Sequence, residues 1–281
     1  MENRIMNIET VIDYIESRLD EKLDLEKVAE AVHYSKYYLH RTFTNIVGMT
    51  IHDYVQRRQL TEAAKMLIFS AKPIIEVAFL CGYESQQAFS SAFKAMYKVP
   101  PAQYRYSKTF YPLQLRFVLH KDIGPKVFTK EDICIAEKSH IPAWMDLMRL
   151  VIDGYPAMDE ADYLNAITKA VEEKRALLLK DENILIGAMT FSRETGSIDF
   201  LGIHPQYRNR EIPKLFLDAL LEIYLPGQKI SMTTYRQGDK ADTGHRDLLK
   251  NLGFAERELL TEFGYPTQRF VFYPADKEET T

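Results

Sequence analysis

Between Gly82 and Arg105 the sequence GYESQQAFSSAFKAMYKVPPAQYR sets two kinds of side chain on a helical period. Gln86, Gln87, Ser90, Ser91 and Lys94 share one arc, whereas Phe89, Ala92, Phe93 and Met96 recur at three- and four-residue spacing and form an inward stripe. A solvent-facing arc is ordinarily laced with Glu and Lys; this one offers amides, hydroxyls and one cation. Such amides can pair bidentately with adenine in a major groove, and hydroxyls can serve several bases. A second cluster lies about fifty residues upstream, a spacing that suggests an internal repeat. There Tyr37, His40 and Arg41 stand at i, i+3 and i+4, on one exposed face. An aromatic ring, an imidazole and a guanidinium side by side suit a groove that presents base edges and phosphates.

Each cluster needs an element to hold it. Ser35 is a natural N-cap for the upstream helix, which buries Leu39, Phe43 and Ile46. Another amphipathic helix precedes each cluster, LDLEKVAEAV at 23–32 and KPIIEVAFLCG at 72–82, so both halves read as helix-turn-helix units. A long apolar-periodic helix, from about Thr50 to Ser70, joins them. Two such reading helices held about 34 Å apart would enter successive major grooves on one side of a duplex. Arg57 and Arg58 on the joining helix are further candidates for phosphate contact.

Charge sorts along the chain. The 281 residues carry a net −4, but residues 31–108 hold ten basic and four acidic side chains, net +6, as a phosphate-facing surface requires. Residues 109–281 hold 22 basic and 27 acidic, net −5, and are not expected along a duplex. Two cysteines, Cys81 and Cys134, are too few for a disulfide framework and suit a reducing compartment. No signal-peptide pattern opens the chain and no apolar run approaches about 18 residues, so a cytoplasmic protein without a membrane span is expected. The seven histidines are scattered without coordinating spacing, and no metal site is expected.

Residues 7–105 resemble the DNA-binding domain of AraC/XylS-type transcription regulators. VAEAVHYSKYYLHRTF, Gly48, IIEVAFLCGYESQQAF, Phe93–Lys94 and PPAQYR carry the match in order and spacing. ESQQ at 84–87 and VPPAQYR at 99–105 resemble the subgroup of multidrug and superoxide stress activators. The resemblance implies base contacts at Tyr37, His40, Arg41, Gln86, Gln87, Ala88 and Ser91, with Lys94 beside them, and RNA polymerase as a partner. Tyr37 stands where the subgroup has tryptophan, His40 where it has glutamine and Ser91 where it has arginine, so a different operator is expected.

After an extended stretch, YPLQLRFVL, and a DIGP turn, strands and helices alternate from Glu131 onward. This order resembles the GNAT acetyltransferase fold over residues 131–273, most clearly in IDFLGIHPQYRNREIPKLFLDALL and DTGHRDLLKNLGF. The resemblance assigns acyl-CoA contacts to Ile203, Arg208, Asn209, Arg210 and Ile212, and acetyl-CoA as the candidate cofactor. The family's loop has small residues where Glu211 and Pro213 stand here. Pro213 has no N–H for a phosphate oxygen, and a Glu211 carboxylate about 4–5 Å from a pyrophosphate would repel it by about 3–4 kcal/mol at a dielectric constant near 20. Leu249 replaces the family's acid-donating tyrosine. Asp199, on the central strand, is the candidate general base. Trp144, Tyr155, Tyr163, Tyr235, Arg236 and Asp242 are candidate pocket residues.

The expected protein therefore has two domains. An all-α double helix-turn-helix domain spans residues 1–108, a linker spans 109–130, and an α+β GNAT-like domain spans 131–281. The expected function is sequence-specific binding of double-stranded DNA as a transcription regulator, an activator by resemblance. The second domain would sense a small-molecule effector or serve as an interaction module. The alternative is a bifunctional regulator with an active acetyl-CoA-dependent N-acetyltransferase.

Overall fold

A computed structural model describes residues 2–120, 126–151, 159–208, 210–262 and 264–274, which fall into two compact units before and after residues 121–125. The first unit is helical: α1 (Glu2–Glu16), α2 (Leu25–Ala31), α3 (Lys36–Val47), α4 (Ile51–Phe69), α5 (Ile74–Leu80), α6 (Gln86–Tyr97) and α7 (Pro101–Ser107). Local chemistry sets several boundaries. Asp24, Ser35, Thr50 and Ser85 each accept a backbone N–H from the first turn of α2, α3, α4 and α6. Gly48 ends α3 and Lys98 ends α6, both in the left-handed region. The joining helix α4 sits one residue inside its expected limits, because Thr50 and Ser70 are its caps.

The two halves are structural repeats. Tyr34 N–H bonds to the Ala29 carbonyl and Tyr83 N–H to the Ala78 carbonyl, closing the same turn in each half. His33 and Gly82 occupy the equivalent left-handed position, at φ 57° and 75°. Gly82 is needed there: a Cβ would lie 2.4 Å from the Glu21 carbonyl oxygen and 2.6 Å from Gln59 Nε2. The inward stripes correspond too, with Leu39 and Phe43 of α3 matching Phe89 and Phe93 of α6, all fully buried.

Two expectations change here. Arg57 and Arg58 are only 1% and 7% exposed, so neither is placed to meet a phosphate. Buried residues fall on nearly every side of α4, which leaves it no single solvent face. Arg58 grips Glu16 through Nε and Nη2, both at 2.8 Å, and also reaches Glu62 and the Gln114 carbonyl. The stretch from 109 onward is also no free tether. Leu113, Gln114, Phe117 and Leu119 are buried within the first unit, whereas Leu115, Arg116 and Val118 face solvent.

The second unit is α+β. A four-stranded antiparallel sheet orders β1 (Cys134–Ile135), β2 (Ala176–Asp181), β3 (Ile184–Phe191) and β4 (Ile198–Ile203). A three-stranded antiparallel sheet orders β5 (Ile230–Tyr235), β7 (Tyr265–Phe272) and β6 (Ala255–Glu262). One parallel bridge, Ser197 to Ser231, joins the chain at β4 to that at β5. Helices α8 (Ile141–Val151), α9 (Glu160–Glu172), α10 (Ile212–Ala219) and α11 (His245–Asn251) complete it. β3 is buried along almost its whole length and reads as a continuous apolar run. No helix among the described residues is long and apolar enough to cross a membrane.

Candidate nucleic-acid interface

With Leu39, Thr42, Phe43 and Val47 turned inward, α3 presents Tyr37, His40 and Arg41 to solvent. Tyr37 is 75% exposed, and the Arg41 guanidinium lies over its ring at 5.6 Å. That stack limits the rotamers open to Arg41 before any partner arrives. α6 repeats the arrangement with Phe89, Phe93, Met96 and Tyr97 inside and Gln86, Gln87, Ala88, Ser91 and Lys94 outside. Aligned through the repeat, Tyr37 matches Gln87 and Arg41 matches Ser91, so an aromatic–cation pair faces one way and an amide–hydroxyl pair the equivalent way. Exposed hydrogen-bonding side chains at an equivalent place on two capped helices suit readout of base edges.

The two heads are also tied to one another. Lys22 pairs with Glu84 at 2.9 Å, and Gln59 Nε2 donates to the Leu19 and Glu21 carbonyls at 3.1 and 2.8 Å. The loop before α2 is thereby fixed to the turn before α6. Sequence reasoning named none of these three side chains as tethers. Their partners are remote in the chain, and only the glycine at 82 hinted at a close backbone approach. The charge count also needs correcting. Arg57 and Arg58 point inward, Lys36 pairs with Glu26, Lys72 pairs with Glu76, and Arg105 donates to the Leu67 and Lys72 carbonyls. Among the described residues, Arg41 of α3 and Lys94 of α6 remain exposed with no salt bridge to an acidic side chain.

In the second unit the predicted site residues scatter. Asp199 is exposed, accepts a hydrogen bond from Ser197 Oγ at 2.7 Å and lies 3.6 Å from Arg175, which makes it a strand-edge ion pair. Ile203 is buried at the end of β4. Arg208 is half-buried, Arg210 stacks over the Tyr207 ring at 4.8 Å, and Ile212 is buried at the start of α10. Asn209 and Tyr155 lie outside the described residues. Glu211 holds the left-handed conformation a glycine would take, φ 55°, with its side chain exposed; Pro213 follows at the second helical position. That loop does not fit a pyrophosphate, because a carboxylate and a missing N–H stand where donors are required.

The candidate pocket residues divide likewise. Trp144 is buried, packs against Phe200 and donates to Tyr163 Oη at 3.0 Å; burial pushes the Tyr163 phenol up to about 12. Tyr235 packs against His245 and Tyr265 near the start of α11. Arg236 donates to the Thr267 and Leu260 carbonyls, and Asp242 accepts the Gly244 and His245 N–H groups. Leu249 is buried and offers no proton.

Comparison with known proteins agrees with the first unit's geometry. A family model described as a helix-turn-helix domain matches residues 28–107. The multiple antibiotic resistance protein MarA of Escherichia coli (strain K12) is 40% identical over 100 residues, which covers 36% of this chain and 79% of MarA. The HTH-type transcriptional regulator YbfP of Bacillus subtilis is 38% identical over 98 residues, 35% of this chain; this chain thus spans only 33% of YbfP's length. An acetyltransferase of the GNAT family from Bacillus cereus aligns structurally over 51% of this chain and 96% of its own, with TM-score 0.40 and 17% identity. By its N-terminal unit, the chain belongs to the AraC-type helix-turn-helix family of DNA-binding transcription regulators.

Proposed function

We propose that this regulator is a sequence-specific activator that lays α3 and α6 in successive major grooves of double-stranded DNA. Tyr37, His40 and Arg41 read one half of the site. Gln86, Gln87, Ala88 and Ser91 read the other, with Lys94 adding charge. The observation that carries this reading is the repeat itself: two capped helices bury equivalent stripes and expose equivalent, chemically different arcs. RNA polymerase is the partner an activator requires. The second unit serves as a small-molecule sensor or interaction module and not as an acetyltransferase, a reading supported by Glu211, Pro213 and Leu249. A ligand could alter promoter occupancy only by binding two arrangements of the chain unequally.

Selection from a library of random duplexes by the full chain tests the first part. The expected product is one site with two boxes about one helical turn apart, bound more weakly after Arg41→Ala or Gln87→Ala. Failure to enrich a site, or unchanged binding in both variants, would overturn it. Calorimetric titration with acetyl-CoA tests the second part. Binding tighter than about 10 µM (about −7 kcal/mol) with CoA released on adding an amine would establish the acetyltransferase instead.

A further inference from the structure

Residues 109–119 follow the helical unit in sequence but lie along it, and they join no sheet. Four of their backbone polar groups are met by one stripe of side chains on α4, namely Tyr54, Arg58 and Thr61, at i, i+4 and i+7. Thr61 Oγ1 accepts from Leu113 and Gln114 N–H at 3.0 and 3.1 Å, and Arg58 Nη1 donates to the Gln114 carbonyl at 3.0 Å. Tyr54 Oη accepts from Phe117 N–H at 3.4 Å, and the two rings stack at 5.6 Å and 15°. The segment therefore runs antiparallel to α4. Three extended residues and seven helical ones both span about 10 Å, so the two ladders keep step.

The two ends of this strap lie on different halves of the repeat. At its start the Tyr111 carbonyl accepts from Tyr97 Oη of α6 at 3.2 Å, and Tyr111 N–H donates to Tyr104 Oη of α7 at 3.1 Å. Near its end Arg116 pairs with Asp13 of α1, and Tyr54 passes the contact on to Glu16 at 2.7 Å. Resting on the two-groove reading proposed above, we infer that residues 109–119 are a positioning element: a strap that fixes the two reading helices relative to one another and so sets the spacing between the two DNA boxes. None of its side chains need touch DNA.

The test uses the full chain, with Thr61→Val, which keeps the volume and loses the acceptor for Leu113 and Gln114 N–H, and Phe117→Leu, which loses the ring stack on Tyr54. Binding is measured by fluorescence anisotropy on the selected duplex, on the same duplex with two base pairs inserted between the boxes, and on a duplex in which one box is scrambled. The wild-type chain should lose about tenfold or more on insertion, as expected when one head loses its base contacts. The variants should bind the scrambled-box duplex as the wild type does and lose only about two- to threefold on insertion. Wild-type spacing discrimination retained in both variants would overturn the strap alone. Equal weakening on all three duplexes would also overturn it, by marking the strap as general scaffolding. Absence of spacing dependence in the wild type would overturn the two-groove reading and the strap with it.

Discussion

Replacing Glu16 by glutamine should unfold the first unit early and leave the second untouched. Arg58 is buried, its side chain 8% exposed and that of Glu16 10%. Burial alone would lower the guanidinium's affinity for its proton, but the paired Glu16 carboxylate raises it above the ordinary value. Removing one member of a buried pair costs about 3–5 kcal/mol, chiefly because the other charge is left uncompensated. Glu62 at 3.1 Å and the Gln114 carbonyl at 3.0 Å would still serve Arg58, which places Glu16→Gln at the lower end, about 3 kcal/mol. With a urea dependence of about 2 kcal/mol per molar, the midpoint should fall by about 1.5 M. The chain's single tryptophan provides the control. Trp144 lies in the second unit, so its fluorescence follows that unit, whereas circular dichroism at helical wavelengths is weighted to the first. The helical midpoint should move and the tryptophan midpoint should stay. In a double-mutant cycle with Arg58→Met the two changes should couple by about 1.5–3 kcal/mol. A helical shift below about 0.5 M, or additive single effects, would refute the assignment of this pair as the bolt between α1 and α4.

Gly82→Ala should destabilise the first unit by at least about 2 kcal/mol, through its left-handed backbone and the clash with the Glu21 carbonyl. Gly238→Ala, equally left-handed but in open space, should cost only about 1 kcal/mol in the second unit; urea titration read by both probes separates them. Burial holds the Cys81 thiol at about 12, against an ordinary 9.0, so at pH 8 iodoacetamide should label exposed Cys134 and spare Cys81 until urea unfolds the chain. Because the native thiol of Cys81 keeps its proton, its contribution to stability is complete below pH 9 and is lost as pH rises from 9 to 12, which urea midpoints across that range should show. Arg41→Ala should reduce the slope of log affinity against log salt by about 0.9, while Gln87→Ala leaves the slope intact and relaxes one base position, as measured on the selected duplex and its single-base variants.

The helices were largely legible because their boundaries are local. Thr50 and Ser70 cap α4 where the sequence placed them, and Ser35 and Ser85 start α3 and α6. The reading arcs were legible for the same reason, since Leu39, Phe43, Phe89 and Phe93 leave only one face outward. What escaped the sequence was non-local. Buried positions run around nearly the whole of α4, so periodicity could not tell that Arg57 and Arg58 turn inward, and the partner of Arg58 lies 42 residues earlier. Residues 109–119 read as extended, but an extended stretch without a strand partner gives no sign of what will satisfy it. In the second unit the strand and helix order was visible in alternation and turns. The uses of Asp199 and Arg236 were not, because Arg175 and the Thr267 and Leu260 carbonyls reach them only through the fold.

The inward turn of the two arginines changes how affinity and specificity can be divided. A net +6 over residues 31–108 suggests a strongly electrostatic binder, yet much of that charge is consumed inside the protein or by neighbours. On the two-groove proposal, Arg41 and Lys94 remain on α3 and α6, one on each, so the salt-dependent share supplied by these helices would be small. On the same proposal affinity would come from both heads engaging at once, since neutral amide and hydroxyl contacts of α6 are individually weak and count only when correctly placed. Correct placement is what Gly82, Gln59, the Lys22–Glu84 pair and the residues lining α4 provide. A regulator of the proposed kind would gain selectivity from geometry. On that proposal, loosening the brace within the first unit would lower occupancy at a two-box site while leaving the base-contacting side chains themselves unchanged.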